Sequence, residues 1–119
     1  MSSTFSWEKQ FLNEIEKAKS ARAQGNEGRS RVCARRAAGI IADQYFIRNG
    51  IPVSDPSAYS RLQLLNSLPN LPASIHEIID HFTMHVSEEF KLPQDIDLIA
   101  EAVFLADELL GPDLSRNWF

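Results

Sequence analysis

Apolar residues recur every three or four positions along most of this chain, and no other feature of the sequence constrains its fold as strongly. Such spacing places apolar residues on one side of an α-helix, which has about 3.6 residues per turn. A half-buried β-strand would instead show strict alternation of apolar and polar residues, and the sequence contains no such segment. The sequence therefore predicts an all-α protein.

Residues that start and stop helices predict a long antiparallel hairpin at the beginning of the chain. The first helix is expected over about residues 5 to 24, because Gly25 offers a left-handed stop. Asn26 is a good N-cap for a second helix, which is expected to run to about Arg48. Since so few residues separate the two helices, they should pack side by side in opposite directions.

Three shorter helices are expected after the hairpin. Asp55 or Ser57 should cap the third helix, and Pro72 suits the first turn of a fourth, which ends before Pro93. Asp95 is the expected cap of the fifth. The predicted fold is a four-to-five-helix up-and-down bundle that starts with the hairpin. The predicted core face of the fifth helix comprises Ile96, Ile99, Ala100, Val103, Ala106 and Leu110.

The length of 119 residues, of which 44% are hydrophobic, suits one globular domain. We expect a single domain over residues 1 to 119, with a core over about residues 5 to 110 and an aromatic C-terminal tail over residues 111 to 119. Trp118 and Phe119 in this tail would expose much apolar surface to water. They should therefore pack on the domain or on a neighbouring subunit.

Cysteine content and hydropathy bear on the compartment of the protein. Cys33 is the single cysteine and has no partner for an intramolecular disulfide, and its alanine neighbours predict a buried helix face. No segment approaches the roughly 20 apolar residues of a membrane span, and the N-terminus has no uninterrupted apolar signal region. We expect a cytoplasmic protein that has no membrane partner.

Charge is divided unevenly along the chain. Residues 1–48 hold nine Lys or Arg and five Asp or Glu, for a net charge of +4, whereas residues 49–119 hold three and eleven, for −8. The whole chain carries −4. This asymmetry indicates an anionic ligand on the hairpin, or two copies that meet basic side to acidic side, or a solvated face that is rich in arginine. The basic part owes its charge largely to four arginines of the second helix: Arg29, Arg31, Arg35 and Arg36.

The second helix is apolar on two sides, so it is either central in its own domain or shared with a second subunit. The second of these apolar strips comprises Val32, Gly39 and Phe46, with Ala42 beside them. Its glycine costs a helix roughly 0.5 to 1 kcal/mol relative to alanine and is better explained by the close approach of another backbone. If the second helix is shared with a second subunit, the chain forms a homodimer. Its candidate subunit contacts are Val32, Gly39, Ala42, Phe46, Trp118 and Phe119.

The arginines flank this strip. We predict that Arg29, Arg31, Arg35 and Arg36 are held mainly by carboxylates, from the acidic helices of the same chain or of a second subunit. The reason is that a domain of this size cannot separate its oppositely charged halves by much more than one Debye length, about 8 Å at physiological salt. The alternative is a free anion site, since the planar fork of arginine suits phosphate.

The fourth helix carries the residues that could hold a metal ion. His81 and His85 are four residues apart and Glu77 extends their stripe, a spacing at which two histidines can share a metal. A four-helix carboxylate site would need Glu-x-x-His on two helices, and the sequence has none. We therefore predict neither a metal site nor a cofactor.

A long hairpin with an Ala-rich second helix, "RVCARRAAGIIADQYF", precedes an extended link, a short Leu-rich helix and two further helices, the last being "IDLIAEAVFLADELL". This layout, over roughly residues 8 to 110, resembles the HEPN superfamily of small helical bundles. The resemblance implies the fold and a dimer. Many members of that family are ribonucleases that use an Arg followed four to six residues later by a His, and no Arg and His of this chain have that spacing.

Three hypotheses about function follow from the sequence. The first is a non-catalytic, HEPN-like, homo-oligomeric module that interacts with itself or with another protein. The second is an RNA-binding or nucleotide-binding protein that uses the Arg-rich second helix for phosphate contacts. The third is a metal-dependent enzyme that uses Glu77, His81 and His85.

Overall fold

The computed structural model describes residues 6–53, 55, 57–83 and 96–111. These residues form α-helices and no β-strand, which confirms the all-α helical bundle expected from the apolar spacing. None of the helices in these ranges has the length and apolar character needed to cross a membrane. The helices are α1 (Trp7–Ala23), α2 (Glu27–Arg48), α3 (Ala58–Asn66), α4 (Ala73–Thr83) and α5 (Leu98–Leu110).

Helices α1 and α2 share the most extensive contact of the fold, and the connection between them is well capped. Gly25 has a φ of +78°, a conformation that side chains rarely adopt, and it follows the end of α1 as expected. The Asn26 side chain accepts a hydrogen bond from the Arg29 backbone N–H at 3.1 Å and so caps α2. In the buried interface, Ser30 Oγ donates to the Ala18 carbonyl at 2.9 Å, which joins the start of α2 to the end of α1.

Helix α2 lies at the centre of the domain, because it packs against α1, α3 and α5. Small side chains along it let the three neighbouring helices come close. Cys33 is 1% exposed and belongs to the core, as predicted. The residues of α2 that are buried are Ser30, Cys33, Ala34, Ala37, Ala38, Gly39, Ile41, Ala42 and Phe46.

Helix α3 is capped by one of the two predicted residues. The Ser57 side chain accepts a hydrogen bond from the Ser60 N–H, and Asp55 Oδ1 accepts one from the Ser57 N–H at 2.9 Å. Asp55 therefore supports the cap from outside the helix. Helix α4 is described to Thr83, and its expected continuation toward Pro93 lies outside the described residues.

The predicted start of α5 is wrong by two residues. Asp97 is the N-cap, since its Oδ1 accepts hydrogen bonds from the N–H groups of Ile99 and Ala100 at 3.1 and 3.2 Å. Ala100 is exposed, contrary to the predicted core face, because the helix turns a different side toward α2. The aromatic tail that contains Trp118 and Phe119 lies outside the described residues. The buried residues of α5 are Leu98, Ile99, Ala102, Leu105, Ala106 and Leu110.

Candidate anion-binding groove

The second apolar strip of α2 is covered by α3 of the same chain. A Cβ atom on Gly39 would lie 2.6 Å from Ala58 Cβ and 2.9 Å from Ala58 Cα, so the glycine allows the two helices to touch. Ala42 and Phe46 are fully buried in the same core. The prediction that Gly39, Ala42 and Phe46 form a subunit contact is therefore wrong, because α2 is central in its own domain. Val32, at 36% exposure, is the member of this strip that stays at the surface.

The four arginines of α2 form no ion pair with the carboxylates that the structure describes. Among the described residues, no carboxylate oxygen lies within 4.0 Å, the limit for an ion pair, of Arg29, Arg31, Arg35 or Arg36. The carboxylates that the structure describes therefore do not hold these arginines, and pairing with a second subunit stays a prediction. A difference in net charge between two halves does not bring individual carboxylates within reach of individual guanidinium groups.

Two of these arginines line an open groove of about 470 Å³ between α1, α2 and α3. Arg35 and Arg36 share a side of α2 with Val32 and Gly39, because these positions are three or four residues apart. Arg61 comes to the same groove from α3. Three guanidinium groups from two helices therefore border one concave surface.

The contact between α2 and α3 determines the position of Arg61. Gly39 meets Ala58 where the two helices touch, and one turn further along each helix Arg61 Nη2 lies 3.6 Å from Asp43 Oδ1. Both side chains are partly buried. Arg61 Nε has almost no solvent-accessible surface and no hydrogen-bond partner, so only one edge of this guanidinium is engaged by the protein.

Helix α1 contributes one acidic side chain to the groove. Glu14 is partly buried, and its Oε1 is covered without a hydrogen-bond partner. Leaving a buried polar group unsatisfied generally costs about 1 to 3 kcal/mol. Glu14 forms no ion pair with a described Lys or Arg, although it borders the same groove as the three arginines.

The first residues of α3 complete the groove. Ser57, the N-cap, and Tyr59, which is 38% exposed, both line it. The positive end of the α3 dipole therefore lies beside the guanidinium groups and adds to the positive potential. The Tyr59 ring offers an aromatic surface to the organic part of a ligand.

Arg29 and Arg31 do not line the groove. Both lie nearer the N-terminus of α2, where Arg29 is exposed and Arg31 partly buried. The four arginines that the sequence groups together therefore divide into a groove pair and a pair outside it.

Another arginine, Arg22 of α1, is paired. Its Nη1 lies 3.1 Å from Asp97 Oδ1, and its Nε lies 4.0 Å from Glu27 Oε1. Burial raises the pKa of Asp97, but hydrogen bonds from the Ala100 N–H and from Arg22 outweigh this effect and hold the pKa below its usual range. The charged form of Asp97 is therefore favoured where it joins α1 to the start of α5.

The histidines of α4 bind side chains of neighbouring helices. His81 Nδ1 lies 2.7 and 3.1 Å from the two oxygens of Glu101 in α5. His76 Nδ1 lies 2.6 Å from Asn66 Oδ1, and because that amide oxygen only accepts, the nitrogen is the donor. Asn66 Nδ2 in turn donates to Asp80 Oδ1 at 3.1 Å.

The structure describes two of the three candidate metal ligands. Glu77 is exposed, His81 faces Glu101, and His85 lies outside the described residues. Across the part of the chain that the structure describes, no group of three or more His, Cys, Asp or Glu side chains could hold a metal ion.

The groove residues that the reasoning from sequence did not assign to a site include Glu14, Tyr59 and Arg61. Arg61 is the lone Lys or Arg between positions 49 and 90, and this isolation in an acidic stretch was the one available signal. Glu14 and Tyr59 had none, because their role depends on which helices meet.

Comparison with known proteins finds no family model, no curated protein and no solved structure that matches this chain.

Proposed function

We propose that this protein is a non-catalytic, HEPN-like binding module that holds a small phosphate-bearing ligand, of the size of a mononucleotide, in the groove between α1, α2 and α3. The observation that carries the proposal is the convergence of Arg35, Arg36 and Arg61 on one groove, where Arg35 and Arg36 have no carboxylate partner among the described residues. These two guanidinium groups keep their donors available for an anion.

Phosphate suits this arrangement better than a carboxylate does. A guanidinium group donates two parallel hydrogen bonds to a phosphate, and several guanidinium groups can share its oxygens. Hydrogen bonds to charged groups contribute roughly 1.5 to 3 kcal/mol each. Two arginines therefore suffice for a ligand affinity that can be measured.

The electrostatics favour a small ligand over RNA. The chain as a whole carries a net charge of −4, which disfavours a long polyanion more than a small ligand. Tyr59 is the aromatic residue that lines the groove, whereas single-stranded RNA is usually held by several stacking side chains. A volume of about 470 Å³ lies within the range of small-molecule sites, roughly 300 to 1,000 Å³.

A binding role without catalysis agrees with the placement of the histidines. His76 and His81 do not line the groove, and each is bonded to a side chain of a neighbouring helix. The groove therefore has no histidine from the described residues to act as a general acid or base. The homodimer expected from the sequence does not enter this proposal, because Gly39, Ala42 and Phe46 are buried within one chain.

The test is a calorimetric titration with adenosine monophosphate at low salt. Replacing both Arg35 and Arg36 with Ala should weaken binding by about 100-fold or more, since two charged contacts are lost. The matched control replaces Arg29 and Arg31 with Ala, which removes the same charge from the same helix outside the groove and should change affinity by about threefold or less.

Affinity in the wild type should fall steeply as salt rises, and the slope should be smaller in the groove variant. Equal losses in the two double variants would contradict the proposal, because they would show a general effect of net charge. Absence of binding in the wild type would reject it.

A further inference from the structure

Glu14 is an acidic side chain in the wall of a groove that otherwise attracts anions. Three guanidinium groups and one carboxylate border this surface, and Arg61 also lies near Asp43. The carboxylate lowers the affinity of the groove for any ligand that is purely anionic. An explanation is needed for its position, since the protein itself does not use Glu14 to neutralise an arginine within ion-pair distance.

The groove walls present one unsatisfied acceptor and one unsatisfied donor. Glu14 Oε1 and Arg61 Nε are both covered and have no hydrogen-bond partner. Glu14 as a whole is only partly buried and lines the groove, so its carboxylate borders the space that a ligand would occupy. The two residues come from different helices and are not bonded to each other.

We propose that Glu14 is a specificity-determining residue, which selects a phosphate monoester that also carries an ammonium group a few bonds from its phosphate. This inference rests on the proposed function, in which the arginines hold the phosphate. The ammonium group donates to the Glu14 carboxylate, while the phosphate accepts from the guanidinium groups. Such a ligand matches the mixed charge of the groove, whereas a plain phosphate monoester leaves Glu14 unpaired.

A matched pair of probes isolates this contact. Ethyl phosphate and phosphoethanolamine have the same phosphate and carbon chain, and they differ by one ammonium group. Chemical-shift titrations at low salt can measure weak affinities for both. In the wild type, phosphoethanolamine should bind about tenfold more tightly than ethyl phosphate.

The substitution Glu14→Gln should move the two affinities in opposite directions. Ethyl phosphate should bind a few-fold more tightly, because a repelling charge is gone, and phosphoethanolamine should bind more weakly. The control is Glu16→Gln, which makes the same change on the same helix at an exposed residue that does not line the groove. Both affinities should change together and by less than about twofold in that control. A merely structural role of Glu14 would not produce opposite changes.

The outcomes separate this inference from the proposed function. If both probes bind equally to the wild type and lose affinity when Arg35 and Arg36 are replaced, the phosphate site stands and the role of Glu14 is refuted. If adenosine monophosphate binds but neither probe does, the role of Glu14 is also refuted, because contacts to the base would then carry the affinity. If no phosphate compound binds, both proposals fail.

Discussion

Polar side chains at α5 and polar side chains in the groove beside α3 are treated differently by this fold. Asp97 is paired with Arg22 at 3.1 Å, and Glu101 with His81 at 2.7 Å. In the groove, Glu14 has no ion-pair partner among the described residues, and Arg35 and Arg36 have none either. The pairs at α5 tie helices together, whereas among the charged residues described in the groove Arg61 alone is paired, with Asp43 at 3.6 Å.

The difference shows that charge pairing depends on which helices are neighbours and not on the charge of each half of the chain. Helix α5 packs on α2 and α4 and meets α1, so its carboxylates reach Arg22 and His81. Helix α3 brings Arg61, a further cation, to the arginines of α2. Whether an arginine has a carboxylate partner among the described residues therefore depends on the helix it faces.

The largest effect on stability should come from closing the gap between α2 and α3. Gly39→Ala would place a Cβ 2.9 Å from Ala58 Cα and force the backbones apart, at a cost of about 2 to 3 kcal/mol. Urea unfolding measures this loss, and the displaced Arg61 should weaken phosphate binding as well. Gly28→Ala is the control, since the nearest atom would be 3.9 Å away and the change should stabilise by about 0.5 kcal/mol. Similar results for the two variants would show that the close contact has no energetic importance.

A smaller loss should follow from breaking the bond between α4 and α5. His81→Ala leaves Glu101 partly buried without its partner, which should cost about 1 to 2 kcal/mol in urea unfolding. Glu77→Ala changes an exposed residue of the same helix and should stay within about 0.5 kcal/mol of the wild type. If His81→Ala cost no more stability than Glu77→Ala, the bond between His81 and Glu101 would not be what ties α4 to α5.

The smallest effect should come from Asp97→Asn, which keeps a good N-cap and removes the charge that faces Arg22. Because the pair is half exposed, we expect a loss of about 0.5 kcal/mol at neutral pH. The folded pKa of Asp97 lies below its usual range, so its charged form stabilises the fold above the unfolded pKa, about 3.9. That contribution is lost as pH falls through the folded pKa.

Chemical unfolding at a series of pH values tests the direction in which the contribution of Asp97 to stability changes with pH. The difference between wild type and Asp97→Asn should be constant above about pH 5 and should shrink from about pH 4 downward. Glu108→Gln, at an exposed position of the same helix, should remain within about 0.5 kcal/mol of the wild type over this range. A difference that grows toward low pH would mean that the charge of Asp97 destabilises the fold.

Helix positions follow from the sequence because their signals are local. Gly25 and Asn26 separate α1 from α2 as expected, since a left-handed turn and a side-chain cap involve only neighbouring residues. The same local reasoning misplaced the α5 cap at Asp95, because two aspartates two residues apart offer the same signal. Which aspartate meets the free N–H groups depends on where α5 docks.

The sequence by itself determined that the chain is helical, where the first two helices begin and end, and that α2 is apolar on two sides. Only the tertiary structure decided that α3 covers the second side, and that Arg35, Arg36, Arg61 and Glu14 share a groove. The physical reason is the distance along the chain over which each effect acts. Helical periodicity and capping act over a few residues, whereas the partner of a charged side chain is set by the packing of helices that are distant in the chain.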